Sequence, residues 1–324
     1  MIISSCPLRI SLVGGSTDHP LFLKKYKRGS VISFPSNLRV YVTLHKDVGG
    51  INGVDKKFII NYSKREEVDS VEDIKNDIVR ETLLKFDIDQ PLTISLTSDV
   101  SSSGSGLASS SAYTMALVNA ISKWKNLMMD DTEVAHAAYL IEKNINPYVG
   151  EQDFYGSLFG ELKKITFREH GNSEDLFTHS SPLFEYFSIP WWIPPMTLVH
   201  TGITRDSTSV LSTIDIDKCV ELLKDVDELE NSIISNNYKK FHDVITRSWC
   251  NKKETSPMIL ENDTLKKLDE ILSNDPKILS HKLCGAGNGG YFLVFGNTED
   301  IKGFLTIPIK ISKTGLYVEE YGNN

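Results

Sequence analysis

A serine- and glycine-rich segment at residues 99–111 is the strongest indication of chemistry in the sequence. It follows strand-like alternation at residues 92–97 and precedes a helical pattern that begins near Ser109. Gly104 and Gly106 let the backbone curl, so that successive N–H groups can point into one concavity. A helix N-terminus adds free donors and a partial positive charge. The order of strand, glycine loop and helix predicts a phosphate-binding site and disfavours a serine-rich loop that only caps the helix. The segment is not a Walker A loop, because no lysine follows the glycines.

A second glycine patch, at residues 285–290, matches the pattern G-x-G-x-x-G. A dinucleotide fingerprint requires a strand before the glycines and a helix after them. Here the residues that follow, Tyr291 to Phe295, are strand-like, so a Rossmann site is disfavoured. Close approach of the backbone to a ligand or another segment, or a tight turn before a strand, is the better interpretation.

The segment at residues 7–18 is a strand that ends in a glycine turn and presents Thr17 and Asp18 beyond it. Arg9 interrupts the apolar strand, so its cation needs a partner or a place on a pocket wall. Taken alone, the segment is better explained by an arginine of an edge strand and an aspartate of a turn.

Two carboxylates are candidates for metal binding or proton transfer. Glu142 shares a helical face with Ala138 and Ile145, and a carboxylate buried there must be paired or bind a metal. Asp153 lies in a glycine turn, residues 150–156, that enters a helix. An ordinary helix carboxylate at either position is the simpler alternative.

The elements that position these residues alternate between strand and helix patterns. The sequence predicts strands at 8–13, 39–45, 57–62, 92–97, 196–200 and 290–295. It predicts helices at 71–87, 109–124, 131–145, 216–234, 236–248 and 262–273. A polar loop at 168–182 and a proline-rich linker at 190–195 place a domain boundary in this part of the chain, drawn between domains 1–185 and 186–324.

The composition limits the classes of function. The chain has 324 residues, a net charge of −8 and 40% hydrophobic residues, which argues for a globular protein and against nucleic-acid binding. No apolar run approaches the ~20 residues of a membrane span, so no membrane partner is expected. The four cysteines are scattered, which predicts reduced thiols and a cytoplasmic location. The oligomeric state stays open, a homodimer included.

Three motifs in order resemble those of the GHMP kinases, the superfamily of galactokinase, homoserine kinase and mevalonate kinase. Residues 7–18 resemble the first motif, 106–110 the second and 284–290 the third. The resemblance implies an α/β (α+β) fold of two domains, the first like domain 2 of ribosomal protein S5 and the second ferredoxin-like. It also implies ATP and Mg²⁺ as cofactors and a small-molecule acceptor.

The resemblance implies roles for individual residues. Ser110 and Glu142 match the Mg²⁺ ligands, and Asp153 matches the aspartate that acts as general base or orients the acceptor hydroxyl, with Arg9 beside it. The residues expected to bind ATP are Ser103, Gly104, Ser105, Gly106, Leu107, Ala108, Ser109 and Ser110. Those expected to bind the substrate are Gly15, Thr17, Asp18, Arg205 and Gly287, with Arg205 suited to an anionic group.

Within the superfamily, the strings at 7–11, 14–18, 149–153 and 201–205 are similar to those of bacterial kinases acting on D-glycero-D-manno-heptose 7-phosphate. The implied reaction transfers the γ-phosphate of ATP to a sugar hydroxyl, the anomeric hydroxyl at C1 of that heptose. Alternatives are another small-molecule kinase, such as one for fucose or galactose, and a non-catalytic sensor on the same fold.

The chain departs from the family pattern at four positions. Ser102 replaces a usual proline and Ala108 a usual glycine, which leaves their effect on ATP affinity open. Ser16 replaces a common glycine, and His19 stands where an apolar residue is usual. Because Ser16 and His19 border the expected sugar pocket, they leave the identity of the sugar open.

Overall fold

Two sheets with helices packed against them position the candidate residues that the structure describes. The computed structural model describes residues 1–46, 57–101, 104–169, 182–204, 207–297, 301 and 303–322. The strands are β1 (Ile2–Val13), β2 (Arg28–Lys46), β3 (Phe58–Asn61), β4 (Arg65–Val68), β5 (Leu92–Ser98), β6 (Leu162–Arg168), β7 (Leu183–Phe187), β8 (Met196–His200), β9 (Ile278–Leu283), β10 (Tyr291–Gly296), β11 (Thr306–Ile309) and β12 (Tyr317–Glu320). The helices are α1 (Pro20–Tyr26), α2 (Asp77–Lys85), α3 (Ser109–Lys125), α4 (Asp131–Ile145), α5 (Gln152–Leu158), α6 (Ser207–Leu211), α7 (Cys219–Ile234), α8 (Tyr238–Glu254) and α9 (Asp263–Asn274).

Among the described residues, the first sheet has eight strands, in the order β12-β1-β2-β5-β3-β4, with β6 paired to β2 and β7 to β6. Its pairs are antiparallel except β3 with β5. The long strand β2 pairs with β6 through its first part and with β5 through its last part, so it joins two wings of the sheet. The last strand of the chain, β12, pairs with the first strand, β1.

An irregularity in β1 places Arg9. The register between β1 and β2 shifts between Pro7 and Arg9, as at a β-bulge. Bulges release a backbone group from the ladder and re-aim a side chain. Here the Arg9 N–H donates to the Leu107 carbonyl at 3.2 Å, which ties β1 to the loop before α3.

In the part of the chain that the structure describes, the second sheet has four antiparallel strands in the order β11-β8-β10-β9, with α8 and α9 packed on β9. Against the first sheet, α3 packs on β1 and β2 and buries most of its residues. The prediction of a mixed α/β fold is confirmed. No helix within the described ranges is long and apolar enough to cross a bilayer.

The predicted elements match the structure best where local signals are strong. Both α3 and α4 begin where expected, and α4 has the full capping box of Asp130 and Glu133. The helix predicted from residue 71 begins only at Asp77, because Asn76 is its N-cap. Residues 170–181 of the predicted polar loop lie outside the described residues. The domain boundary stays a prediction.

Candidate active site

A cavity of about 250 Å³ lies where the end of β1, the loop before α3 and the N-terminus of α5 meet α8 and β9. Its wall contains residues from all three motif segments and both candidate carboxylates. The predicted site residues on the wall are Arg9, Gly15, Asp18, Gly104, Ser105, Gly106, Ala108, Ser109, Ser110, Glu142 and Asp153. The fold thus brings together groups that are up to 144 residues apart in the chain, as Arg9 and Asp153 are.

Three predicted site residues do not reach this wall. Thr17 is fully buried; its hydroxyl lies 2.8 Å from the carbonyl oxygens of Gly14 and Ser30, and so fastens the turn after β1. Leu107 packs in the core, and Gly287 packs against Ile259. Ser103 and Arg205 lie outside the described residues.

The loop before α3 has the features of an anion-binding site. Ala108, the N-cap residue of α3, adopts a left-handed conformation with φ +60°, and its side chain makes no capping hydrogen bond. The N–H groups of the first turn therefore remain available to a ligand. Inside the loop, the Ser105 and Ser109 hydroxyls are 2.8 Å apart and the Leu107 N–H donates to Ser105 Oγ.

Gly290 of the second glycine patch supports this loop. A Cβ atom at Gly290 would lie 2.2 Å from the Ser105 carbonyl oxygen, and its φ of +90° also favours glycine. The patch leads into strand β10 and not into a helix, in agreement with the rejection of a dinucleotide fingerprint. Its glycines permit close approach to the anion loop.

Arg9 connects the loop to Asp153. Its Nε atom donates to Asp153 Oδ1 at 3.0 Å, and Nη2 contacts the same oxygen. Its Nη1 atom donates to the Gly106 carbonyl at 2.9 Å. The Arg9 side chain is 4% exposed and that of Asp153 25%. Both contacts use Oδ1, so Asp153 Oδ2 takes no part in the pairing with Arg9.

Glu142, on α4, is a buried carboxylate with an unsatisfied oxygen. Oε2 has no hydrogen-bond partner among the described residues. Burial, together with the nearby charge of Asp153, raises the pKa of Glu142 to about 7, against the opposing effect of the Ser110 and Ser111 hydroxyls. An oxygen in this state suits a hard cation such as Mg²⁺.

The surroundings of Glu142 fit a Mg²⁺ ion that takes only some of its ligands from the protein. No group of three His, Cys, Asp or Glu side chains in the described ranges could hold a metal ion. Mg²⁺ at nucleotide sites usually takes one or two protein oxygens and completes its shell with water and phosphate. Glu142 and the Ser110 hydroxyl meet that requirement.

Asp18 is held beside Asp153 by α5. The Gln152 N–H donates to Oδ2 at 3.0 Å, and its side-chain amide donates to Oδ1 at 2.7 Å. A Cβ atom at Gly150 would lie 1.9 Å from Oδ2, so any larger residue there would displace the Asp18 carboxylate. Burial and the charge of Asp153 raise the pKa of Asp18 to about 7, although the hydrogen bond from Gln152 opposes this.

The wall also contains two lysines that sequence reasoning missed. Lys252 Nζ donates to Ser16 Oγ at 2.6 Å. Lys282 Nζ donates to the carbonyls of Ser11 and Leu12 at 2.8 Å each, and burial lowers its pKa to about 8. A signal existed for Lys252, because it continues the buried face of α8 beyond Ser248.

An anion-binding loop at a helix N-terminus, joined through an arginine to a partly exposed aspartate, is the arrangement expected at the site of a phosphotransferase. Comparisons with known proteins agree. Residues 73–161 match the family of the GHMP kinases N terminal domain. A D-glycero-alpha-D-manno-heptose 7-phosphate kinase of Campylobacter jejuni is 29% identical over 319 residues, which cover 91% of this chain and 89% of that protein.

Solved structures share the fold. A D-glycero-D-manno-heptose 1-phosphate kinase from Bacteroides thetaiotaomicron superposes with a TM-score of 0.74 at 18% identity over the whole of both chains. A Lactococcus lactis galactokinase in complex with galactose has a TM-score of 0.73 at 15% identity, covering 98% of this chain and 95% of that one. The chain therefore contains a GHMP kinase N-terminal domain at residues 73–161 and shares its overall fold with these sugar kinases.

Proposed function

We propose that this protein transfers the γ-phosphate of ATP to a sugar, at the anomeric C1 hydroxyl of a heptose 7-phosphate. The observation that carries the proposal is the position of Arg9, which holds Asp153 and the Gly106 carbonyl of the anion loop together in one cavity. The choice of sugar is supported by the similarity to the Campylobacter heptose kinase. The free cysteines support a cytoplasmic location.

The anion loop would bind the triphosphate of ATP. The uncapped N–H groups of the first turn of α3 are donors, and the hydroxyls of Ser109 and Ser110 lie on the same wall. Phosphoryl transfer depends mainly on positioning and charge neutralisation, which such donors provide. Glu142 and Ser110 would hold Mg²⁺, which neutralises charge on the nucleotide phosphates when bound.

Asp153 would orient the acceptor hydroxyl and accept its proton. A positioned general base typically contributes about 10²–10⁴ in rate. An anomeric hydroxyl is more acidic than an ordinary alcohol, so an ionised carboxylate suffices. Arg9 keeps Asp153 in place and offsets its charge, while the Asp18 carboxylate provides acceptor atoms for other sugar hydroxyls.

The proposal is tested by acceptor-dependent ADP release with ATP and Mg²⁺. The acceptors are D-glycero-D-manno-heptose 7-phosphate, mannose, fucose, galactose, mevalonate and homoserine. We expect selective turnover of the heptose 7-phosphate, and a product whose new phosphorus NMR signal couples to the anomeric proton. Selective turnover of another sugar would reassign the acceptor, whereas ATP binding without turnover of any acceptor would favour a sensor.

A further inference from the structure

A group of polar side chains on the cavity wall is separate from the residues assigned to ATP and to the reacting hydroxyl. Ser16 and His19 come from the turn between β1 and α1, and Lys252 comes from α8. Each of the three is less than a tenth exposed. The Lys252 ammonium donates to Ser16 Oγ, so the Ser16 hydroxyl can donate its own hydrogen onward.

His19 adds a donor without an acceptor. Its Nδ1 atom accepts the Leu21 N–H at 3.2 Å as the N-cap of α1, so in the neutral ring the hydrogen resides on Nε2. Burial and the nearby charge of Lys252 lower the pKa of His19 to about 4, which keeps the ring neutral at pH 7. Nε2 is buried and has no hydrogen-bond partner among the described residues. A ligand that supplies an acceptor oxygen would satisfy it.

The three side chains share one chemistry. An ammonium, a hydroxyl already accepting from it and a ring N–H all offer hydrogens, and one of the three donors is a cation. Such a set suits an anion rich in oxygens and not a neutral hydroxyl, which needs no buried cation. A carboxylate that can serve sugar hydroxyls, Asp18, is already present on the same wall.

We propose that Ser16, His19 and Lys252 bind a phosphate monoester that the acceptor sugar already carries, and so select phosphorylated sugars over neutral ones. This inference rests on the proposed sugar kinase activity. It assigns the choice between the two kinds of acceptor to His19 and Ser16, two of the positions at which the chain departs from the family pattern.

The test compares kcat/KM for D-glycero-D-manno-heptose 7-phosphate and for the same heptose without its phosphate. We expect the wild type to prefer the phosphorylated sugar by about 100-fold or more, and Lys252→Ala to reduce this ratio about 100-fold, mainly through KM. His19→Asn preserves the N-cap acceptor but removes the Nε2 donor, and should reduce the ratio about tenfold. Lys239→Ala removes the same charge from an exposed position of α8 and should leave the ratio unchanged.

Each other outcome has a distinct meaning. If Lys252→Ala and His19→Asn lower kcat/KM equally for both sugars, these residues have a structural role and the inference is overturned. A wild type that prefers the unphosphorylated heptose would also overturn it, while leaving the kinase activity in place. Turnover of neither sugar would instead remove the proposed function. If Lys252→Ala does not fold, the ratio of kcat/KM for the two sugars is measured in Lys252→Gln and His19→Asn instead, and the same criteria apply.

Discussion

The Arg9 guanidinium donates to Asp153 Oδ1 through Nε and Nη2, and to the Gly106 carbonyl through Nη1. One nearly buried cation therefore fixes both the group that would receive the acceptor's proton and the loop that would hold the phosphates. A fork of donors in a rigid plane can do this, and a flexible ammonium cannot.

Arg9→Lys tests this relationship. A lysine keeps the charge but cannot reach Asp153 and Gly106 at once, so we expect kcat to fall by about 10–100-fold with a smaller effect on ATP affinity. The matched control is Arg39→Lys, because Arg39 also donates to backbone carbonyls, those of Ser5 and Gly315, but does not line the cavity. Steady-state kinetics that show equal kcat values for Arg9→Lys and the wild type would contradict the coupling.

Glu142→Gln tests the electrostatics of the buried carboxylate. The pKa of Glu142 is raised from its ordinary 4.5 to about 7, so the folded protein binds the proton more tightly than the unfolded chain does. Its contribution to stability is present at low pH and is lost as the pH rises through about 7. Without Mg²⁺, the glutamine variant should be more stable than the wild type by about 1–3 kcal/mol at pH 8, and by much less at pH 5.

Urea unfolding at pH 5, 6, 7 and 8 measures this difference. The pKa of Asp18 is also raised to about 7. Asp18 changes the free energy of unfolding in the same direction in the wild type and in the variant, so its contribution cancels in the difference. The variant should at the same time lose at least about 100-fold in kcat, because it removes the carboxylate that we propose as a Mg²⁺ ligand. A stability difference that does not change with pH would show that Glu142 is not perturbed as described.

Ala108→Gly tests the strain in the anion loop. A non-glycine residue in the left-handed region costs roughly 1–2 kcal/mol, partly offset by the greater freedom of glycine in the unfolded chain. We therefore expect Ala108→Gly to stabilise the protein by about 0.5–1 kcal/mol. Ala112→Gly, in the interior of the same helix, should destabilise it by about 1 kcal/mol. Thermal unfolding that showed a loss at both positions would contradict the left-handed conformation of Ala108.

Local signals in the sequence predict much of the fold around the site. The start of α3 after the glycine loop and the capped start of α4 depend on neighbouring residues, and both occur as expected. The same motif reasoning placed Thr17 and Leu107 in the site, but the structure turns them inward, because a short motif does not say which way each side chain points.

The sequence patterns do not predict contacts between segments that are far apart in the chain. Lys252 and Ser16 meet across 236 residues, and β12 returns from the end of the chain to pair with β1. Such contacts depend on how helices and sheets pack as whole units, and no local periodicity reports this. The sequence indicates that the Arg9 cation needs a partner. Only the family resemblance suggests Asp153 for this role, and the structure shows the contact between the two side chains.

The most direct test of the proposed kinase is ADP release with ATP, Mg²⁺ and D-glycero-D-manno-heptose 7-phosphate, in the wild type and in Asp153→Asn, with ATP affinity measured on both. We predict acceptor-dependent turnover in the wild type and a loss of about 10²–10⁴ in kcat for Asp153→Asn, with ATP affinity changed less than about threefold. Turnover near the wild-type rate in Asp153→Asn, or no acceptor-dependent ADP release in the wild type, would contradict the account.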